Sequence, residues 1–278
     1  MKFRTIVEFE RPEWGVSPSD RILCVGSCFA QRIGDVLADY RLRAEVNPWG
    51  TLYNPASIAM ALEGALGGEA TVERVWMEPV DVLIVTFGTT HVYEREGRVV
   101  ANCQKLPARL FTERELSVGE IVDGMGKAIG RLRERNRDLR VVFTVSPYRY
   151  AKYGFHGSQL SKARLLMATE ELVRTVENAV YFPAYEIVLD ELRDYRFYDA
   201  DMLHPSRQAV EYIWERFEET MLTADCRAFV KEIEPVRKAL KHKPFDAESE
   251  EYKRFLAENK AREAELIGRY INKENKHL

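Results

Sequence analysis

Cysteine is scarce in this chain of 278 residues: only Cys24, Cys28, Cys103 and Cys226 occur, and no other pair repeats the close spacing of the first two. Structural zinc sites bring their ligands in close pairs, so no metal site is expected, and four thiols are ordinary for a reducing compartment. Long apolar runs are missing as well. None approaches the roughly 18 residues of a membrane span, and the segment from Met1 to Glu8 lacks the apolar core of a signal peptide. A soluble, cytoplasmic protein with no membrane span is the expectation. Neither sign of charge dominates, with 41 Lys and Arg against 44 Asp and Glu for a net charge of −3. No stretch is basic enough to form a nucleic-acid footprint, so no nucleic-acid partner is expected. Internal repeats and low-complexity tracts are absent.

What is present is organised around Gly26-Ser27-Cys28-Phe29-Ala30. The apolar run Ile22-Leu23-Cys24-Val25 gives way there to a helical pattern with Ala30, Ile33 and Leu37 on one face. A strand, a glycine turn and a helix in succession place the Ser27 hydroxyl at the positive end of a helix. A serine in that position can be a nucleophile or an N-cap for the first turn. Cys28, one step into the helix, is expected to pack beneath it.

Further strands are expected at 44–46, 80–87, 141–145 and 179–185. Val80 to Phe87 is a continuous rather than alternating apolar run, as a strand buried on both faces of a parallel sheet requires, and it is the expected sheet centre. Pro183 argues that the fifth strand lies at an edge or ends there. Residues 91–94 and 98–101 flank Gly97 as a hairpin, and Ser117 and Glu120 form a capping box ahead of a helix over about 117–135. Tyr153 to Ser158 reads as a glycine-containing loop. Pro205 fits a first helical position, which puts His204 at or beside a cap. Alternating strands and helices indicate a three-layer α/β fold with a parallel sheet of about five strands. The loops after Ser27, Gly50, Gly88 and Ser146 then share the carboxyl edge of the sheet, where ligands gather in such folds.

From about 223 no strand is evident. Residues 1–222 read as the α/β domain and 223–278 as a helical extension that either folds back on it or pairs with a second subunit, a possible homo-oligomer.

A hydroxyl nucleophile needs a base, and the base needs an orienting partner. Of five histidines, His242 and His277 lie in the charged extension, whereas His91 and His156 are near enough in sequence to the sheet edge to reach it. His204 follows the last strand with Asp201 three residues earlier. In a tight turn that spacing lets the carboxylate hold Nδ1 of the imidazole and leave Nε2 for Ser27. The same pair can also simply cap a helix. Lys105 and Arg149 are candidates for an anionic group on a substrate, and Asn47 and Asn54 are expected to shape their own loop.

The order Ser27, Asp201, His204 resembles the SGNH/GDSL hydrolases, and the Gly26-Ser27-Cys28-Phe29-Ala30 stretch resembles the GSCFA family within them. Further stretches agree in order: Asn47-Pro48-Trp49-Gly50-Thr51-Leu52-Tyr53-Asn54-Pro55, Phe87-Gly88-Thr89, Asn102-Cys103-Gln104-Lys105, Thr144-Val145-Ser146-Pro147, Tyr181-Phe182-Pro183-Ala184-Tyr185-Glu186 and Arg193-Asp194-Tyr195-Arg196-Phe197-Tyr198. The resemblance covers about 20–220. It implies a flavodoxin-like SGNH fold with Ser27 as nucleophile, His204 as general base and Asp201 as its orienter. The reaction implied is cleavage of a carboxylic ester on a small molecule or glycan, with no cofactor. Transfer of the acyl group to another acceptor, and a non-catalytic binding module, are the competing readings. Two positions depart from the pattern. Gly88-Thr89-Thr90-His91 stands where SGNH enzymes carry Gly-x-Asn-Asp, so the asparagine that donates to the oxyanion is missing, and Gln104 stands where the family has His. The expected oxyanion and substrate contacts are therefore the backbone of Ser27 and Gly50 together with Gly88, Thr89, Thr90 or Asn102.

Overall fold

The computed structural model describes residues 4–64, 79–101, 106–246 and 248–272. Five parallel strands form the central sheet: β1 (Arg21–Gly26), β2 (Arg43–Val46), β3 (Val82–Phe87), β7 (Arg140–Val145) and β8 (Ala179–Tyr181), in the order β2-β1-β3-β7-β8. Every side chain of β3 is buried, as its unbroken apolar run requires of the central strand. The fifth strand is shorter than expected. Phe182 N still donates to Phe143 O at 2.8 Å, but Pro183 has no N–H to continue the ladder, and β8 ends as an edge.

The period-two alternation of the strands sorts the helices. Ile22 and Cys24 of β1 with Val82 and Ile84 of β3 face one layer, built by α1 (Cys28–Asp39), α5 (Arg207–Met221), α6 (Ala224–Leu240) and α7 (Glu250–Tyr270). Leu23 and Val25 with Leu83 and Val85 face the other, built by α2 (Pro55–Leu62), α3 (Val118–Arg133) and α4 (Gly154–Thr175). The result is the three-layer α/β fold. The extension turns its apolar face inward: Cys226, Phe229, Val230 and Ile233 of α6 and Leu266 of α7 join the same core as β1 and α1.

A small antiparallel sheet, β5-β4-β6, stands beside the main one, from β4 (His91–Arg95), β5 (Arg98–Val100) and β6 (Thr112–Glu115). Glu96 and Gly97, both at positive φ, make the tight turn expected of the hairpin. The α3 helix has its capping box, with Ser117 and Glu120 each bonding the other's backbone.

Two local expectations are corrected. The Tyr153 to Ser158 stretch is helical from Gly154 on, so His156 sits exposed on α4 rather than in a loop. Helix α5 begins at Arg207 and is capped by Ser206, whose side chain accepts from Ala209 N. Ser is the stronger N-cap residue, and Pro205 and His204 are left outside the helix.

Candidate active site

The turn that carries Ser27 is shaped by backbone geometry that only glycine satisfies. Gly26 has φ +137°, and a Cβ there would stand 2.2 Å from Thr86 O. Gly26 N donates to Asn47 Oδ1 at 2.9 Å, and Leu52 N donates to Gly26 O at 2.9 Å. Asn47 thus braces the turn, and Asn54 caps α2 by accepting from Ser57 N. Ser27 follows in extended conformation as N-cap of α1, its Oγ accepting from Phe29 N at 3.3 Å. The hydroxyl is therefore both a cap and a group at the carboxyl edge of the sheet, and it is almost fully buried.

The imidazole comes from a loop with no regular structure. Asp201 Oδ1 accepts from Leu203 N and His204 N at 2.9 and 3.0 Å, while Oδ2 lies 2.5 Å from His204 Nδ1. The carboxylate spends one oxygen on the turn and the other on the ring, as Asp-x-x-His spacing predicts. The His204 backbone N–H, then the ring, holds the Asp201 carboxyl well below the usual carboxylate range. Asp201 therefore stays ionised and directs Nδ1–H toward itself, leaving Nε2 as the ring's acceptor. The loop is closed by Asp199 N to His204 O at 2.8 Å and helped by Met202 at positive φ.

No hydrogen bond joins Ser27 Oγ to His204. Two other connections span the gap. Arg32, five residues along the chain from Ser27 on α1, bonds Asp199 Oδ2 at 3.0 Å and Pro205 O at 3.3 Å, so the helix that Ser27 caps grips both ends of the histidine loop. An aromatic chain does the rest: the His204 ring lies 4.3 Å from Tyr148, Tyr148 is edge-on to Tyr150 at 4.6 Å, and the Tyr150 hydroxyl lies against Gly88 beside Ser27. Arg149, a candidate anion-binding residue, instead donates to Met202 O at 2.9 Å and lies over Phe155, steadying the same loop.

The expected oxyanion donors are largely committed elsewhere. Ser27 N donates to Thr86 O at 3.1 Å, Gly50 N to Asn47 O at 2.8 Å, and Gly88 N and Thr89 N both to Tyr53 O at 2.9 Å. Thr90 N and the hydroxyls of Thr89 and Thr90 meet Ser161 Oγ at 2.8 to 3.3 Å, which ties the end of β3 to α4. In the free protein these polar atoms hold the fold. Asn102, Gln104 and Lys105 lie outside the described residues.

Cys28 is not packed beneath its helix. It is half-buried, within electrostatic reach of Arg32 and Lys162, and its thiol bears on Tyr53, Tyr148 and Tyr150. Burial pushes the thiol pKa up despite those cations, so it is a poorer thiolate source than a free cysteine. His91 is engaged away from the serine, stacked on Tyr153 at 3.4 Å between Glu113 and Glu115.

Sequence reasoning missed Lys162. It is fully buried on α4, with Nζ donating to Gly88 O at 2.6 Å and Ser146 O at 2.7 Å. One ammonium therefore pins the loops after β3 and β7 together. Burial pushes its pKa down to about 7, and nearby Cys28 opposes that. A signal existed: Lys162 lies four residues after Ser158 and three before Leu165, on the inward face of the helix.

Fold and site together define a three-layer α/β protein with a serine, a histidine and an aspartate on loops at the carboxyl end of its sheet. The chain belongs to the GSCFA family, whose model matches residues 21–78 and 70–217, and a GSCFA C-terminal domain model matches 233–277. No curated protein matches it. Solved structures similar to it include the Clostridium thermocellum family 3 carbohydrate esterase, at 10% identity and TM-score 0.41 over 80% of this chain and 99% of that one. A protein of Parabacteroides merdae described as a GDSL-like lipase matches at 11% and 0.45, over 76% and 99%. A family 3 carbohydrate esterase of Talaromyces cellulolyticus matches at 9% and 0.40, over 70% and 93%.

Proposed function

We propose that this protein is an SGNH-type serine hydrolase that cleaves a carboxylic ester through Ser27, His204 and Asp201. The Asp201–His204 pair carries the reading. Its carboxylate is bound on one side by two backbone N–H groups and on the other by the ring, which is what a base poised to accept a proton at Nε2 needs. Ser27 Oγ attacks the acyl carbon as its proton passes to His204 Nε2. The C=O pair moves onto oxygen and then returns to expel the alkoxide, which takes the proton from His204. Water repeats the sequence on the acyl-enzyme. The missing Ser27–His204 hydrogen bond is in keeping with catalytic bonds that tighten only when substrate is bound.

The substrate side of the reading is a small acyl group on a carbohydrate. Tyr53, Phe155 and Tyr195, at 45%, 54% and 66% exposure, offer ring faces near the site on which a sugar can stack. Hydrolysis of p-nitrophenyl acetate tests the enzyme class. The wild type should turn over, and Ser27→Ala should lose about 10⁴-fold or more in kcat, while loss of the N-cap on α1 costs only about 1 kcal/mol of stability. Equal rates would remove the serine from the mechanism. A second reading, a binding module on the same scaffold, is favoured by the committed backbone donors, and it predicts glycan binding with no turnover above the Ser27→Ala background.

A further inference from the structure

Gly88 occupies the place where a side chain would separate Ser27 from Tyr150. A Cβ built on Gly88 would stand 2.7 Å from the Tyr150 hydroxyl oxygen and 3.3 Å from Ser27 Cβ, so those two atoms are no more than about 6 Å apart. The Tyr150 hydroxyl is buried and has no hydrogen-bond partner among the described residues. A buried polar atom left unpaired costs free energy, and such an atom beside a nucleophile calls for an explanation. Meanwhile the asparagine of the SGNH pattern is absent, and the hydroxyls of Thr89 and Thr90, the nearest substitutes in sequence, are engaged with Ser161.

We propose that the Tyr150 hydroxyl is the side-chain donor to the oxyanion, taking the place of the missing asparagine. This rests on the hydrolase reading above. The position of the phenol is set from three sides. Its backbone N donates to Ser158 Oγ at 3.2 Å, and its ring is edge-on to Tyr148 at 4.6 Å and to Tyr53 at 6.4 Å. Lys162 Nζ, fixed by its two carbonyl acceptors, lies 5.3 Å from the ring centroid. Burial raises the phenol pKa well above the usual tyrosine range, so the proton stays on oxygen, as a donor requires. In the reaction the phenol forms a hydrogen bond to the oxygen that receives the C=O pair and keeps its proton throughout; the proton from Ser27 still goes to His204. Both hydroxyls are covered in the free protein, and Tyr53, edge-on to Tyr150, is half exposed.

The test is Tyr150→Phe, which deletes one oxygen with no hydrogen-bond partner among the described residues. On p-nitrophenyl acetate, kcat should fall by about 10²–10³ with KM held within about twofold, the pattern for an interaction made only in the transition state. A trifluoromethyl ketone that adds to Ser27 should weaken by the same factor, and the melting temperature should equal or exceed that of the wild type. Activity retained by Tyr150→Phe while Ser27→Ala is dead would overturn this proposal and leave the hydrolase reading intact. Wild-type and Ser27→Ala proteins that are equally inactive would overturn both. The wild type supplies a second reading independent of any variant: in a crystal of its phosphonylated form, Tyr150 Oη should lie about 2.7 Å from the phosphonyl oxygen, and a separation beyond hydrogen-bond reach would contradict the assignment.

Discussion

The two ends of the candidate site are built by opposite means. Ser27 is 1% exposed and held by the ladder of β1 and β3, by the positive-φ glycine before it and by the helix it caps. Asp201 and His204 lie on an exposed loop, their side chains 43% and 33% accessible, and what fixes them is a set of short-range hydrogen bonds around one carboxylate. Ser27 inherits its position from the core, whereas His204 depends on a few bonds open to water. Changes to the turn that carries the serine should therefore act through folding, and changes at the histidine end through rate.

Gly26→Ala is the most disruptive way to challenge that contrast. A methyl 2.2 Å from Thr86 O cannot be accommodated at φ +137°, and we expect a loss of more than about 3 kcal/mol in stability by denaturant unfolding. Asp201→Asn should leave the unfolding midpoint nearly unchanged, because the group is exposed, yet lower kcat by about 10², less than a buried triad aspartate costs. A matching loss of stability would show that the loop is part of the core after all.

Lys162 sharpens the comparison by pH. Its folded pKa, pushed to about 7 by burial, lies below that of the unfolded chain, so the unfolded state binds more protons between them. Stability should rise with pH from about 7 to 10, by at most about 1.4 kcal/mol per unit, and the rise should vanish in Lys162→Met. Arg32→Met, which releases both ends of the histidine loop from α1, should cost about tenfold in kcat through misplacement of the base. Its effect on stability should stay within the 0.2 to about 1 kcal/mol typical of partly exposed pairs.

What was legible in the sequence follows the same divide. The buried strands declared themselves through unbroken apolar runs, Pro183 marked the edge strand, and Asp201-x-x-His204 carried its hydrogen bonds in its spacing. Strand β6, Thr112-Glu113-Arg114-Glu115, was not legible, because it is polar throughout and is held by pairing with β4 rather than by burial. The helix from Gly154 was misread because glycines punctuate its first turn. Tyr150 left no trace in local spacing. Its hydroxyl matters only because the chain brings Gly88 against it from the far end of β3, and that proximity is a property of the sheet.

The central claim is that Ser27 is the nucleophile, and active-site titration with a fluorophosphonate tests it most directly. Peptide mapping by mass spectrometry should place one phosphonyl group on Ser27 in the wild type and none in Ser27→Ala, with labelling slowed in His204→Ala. A folded wild-type protein that stays unlabelled, or one labelled at Cys28 or elsewhere, would contradict it.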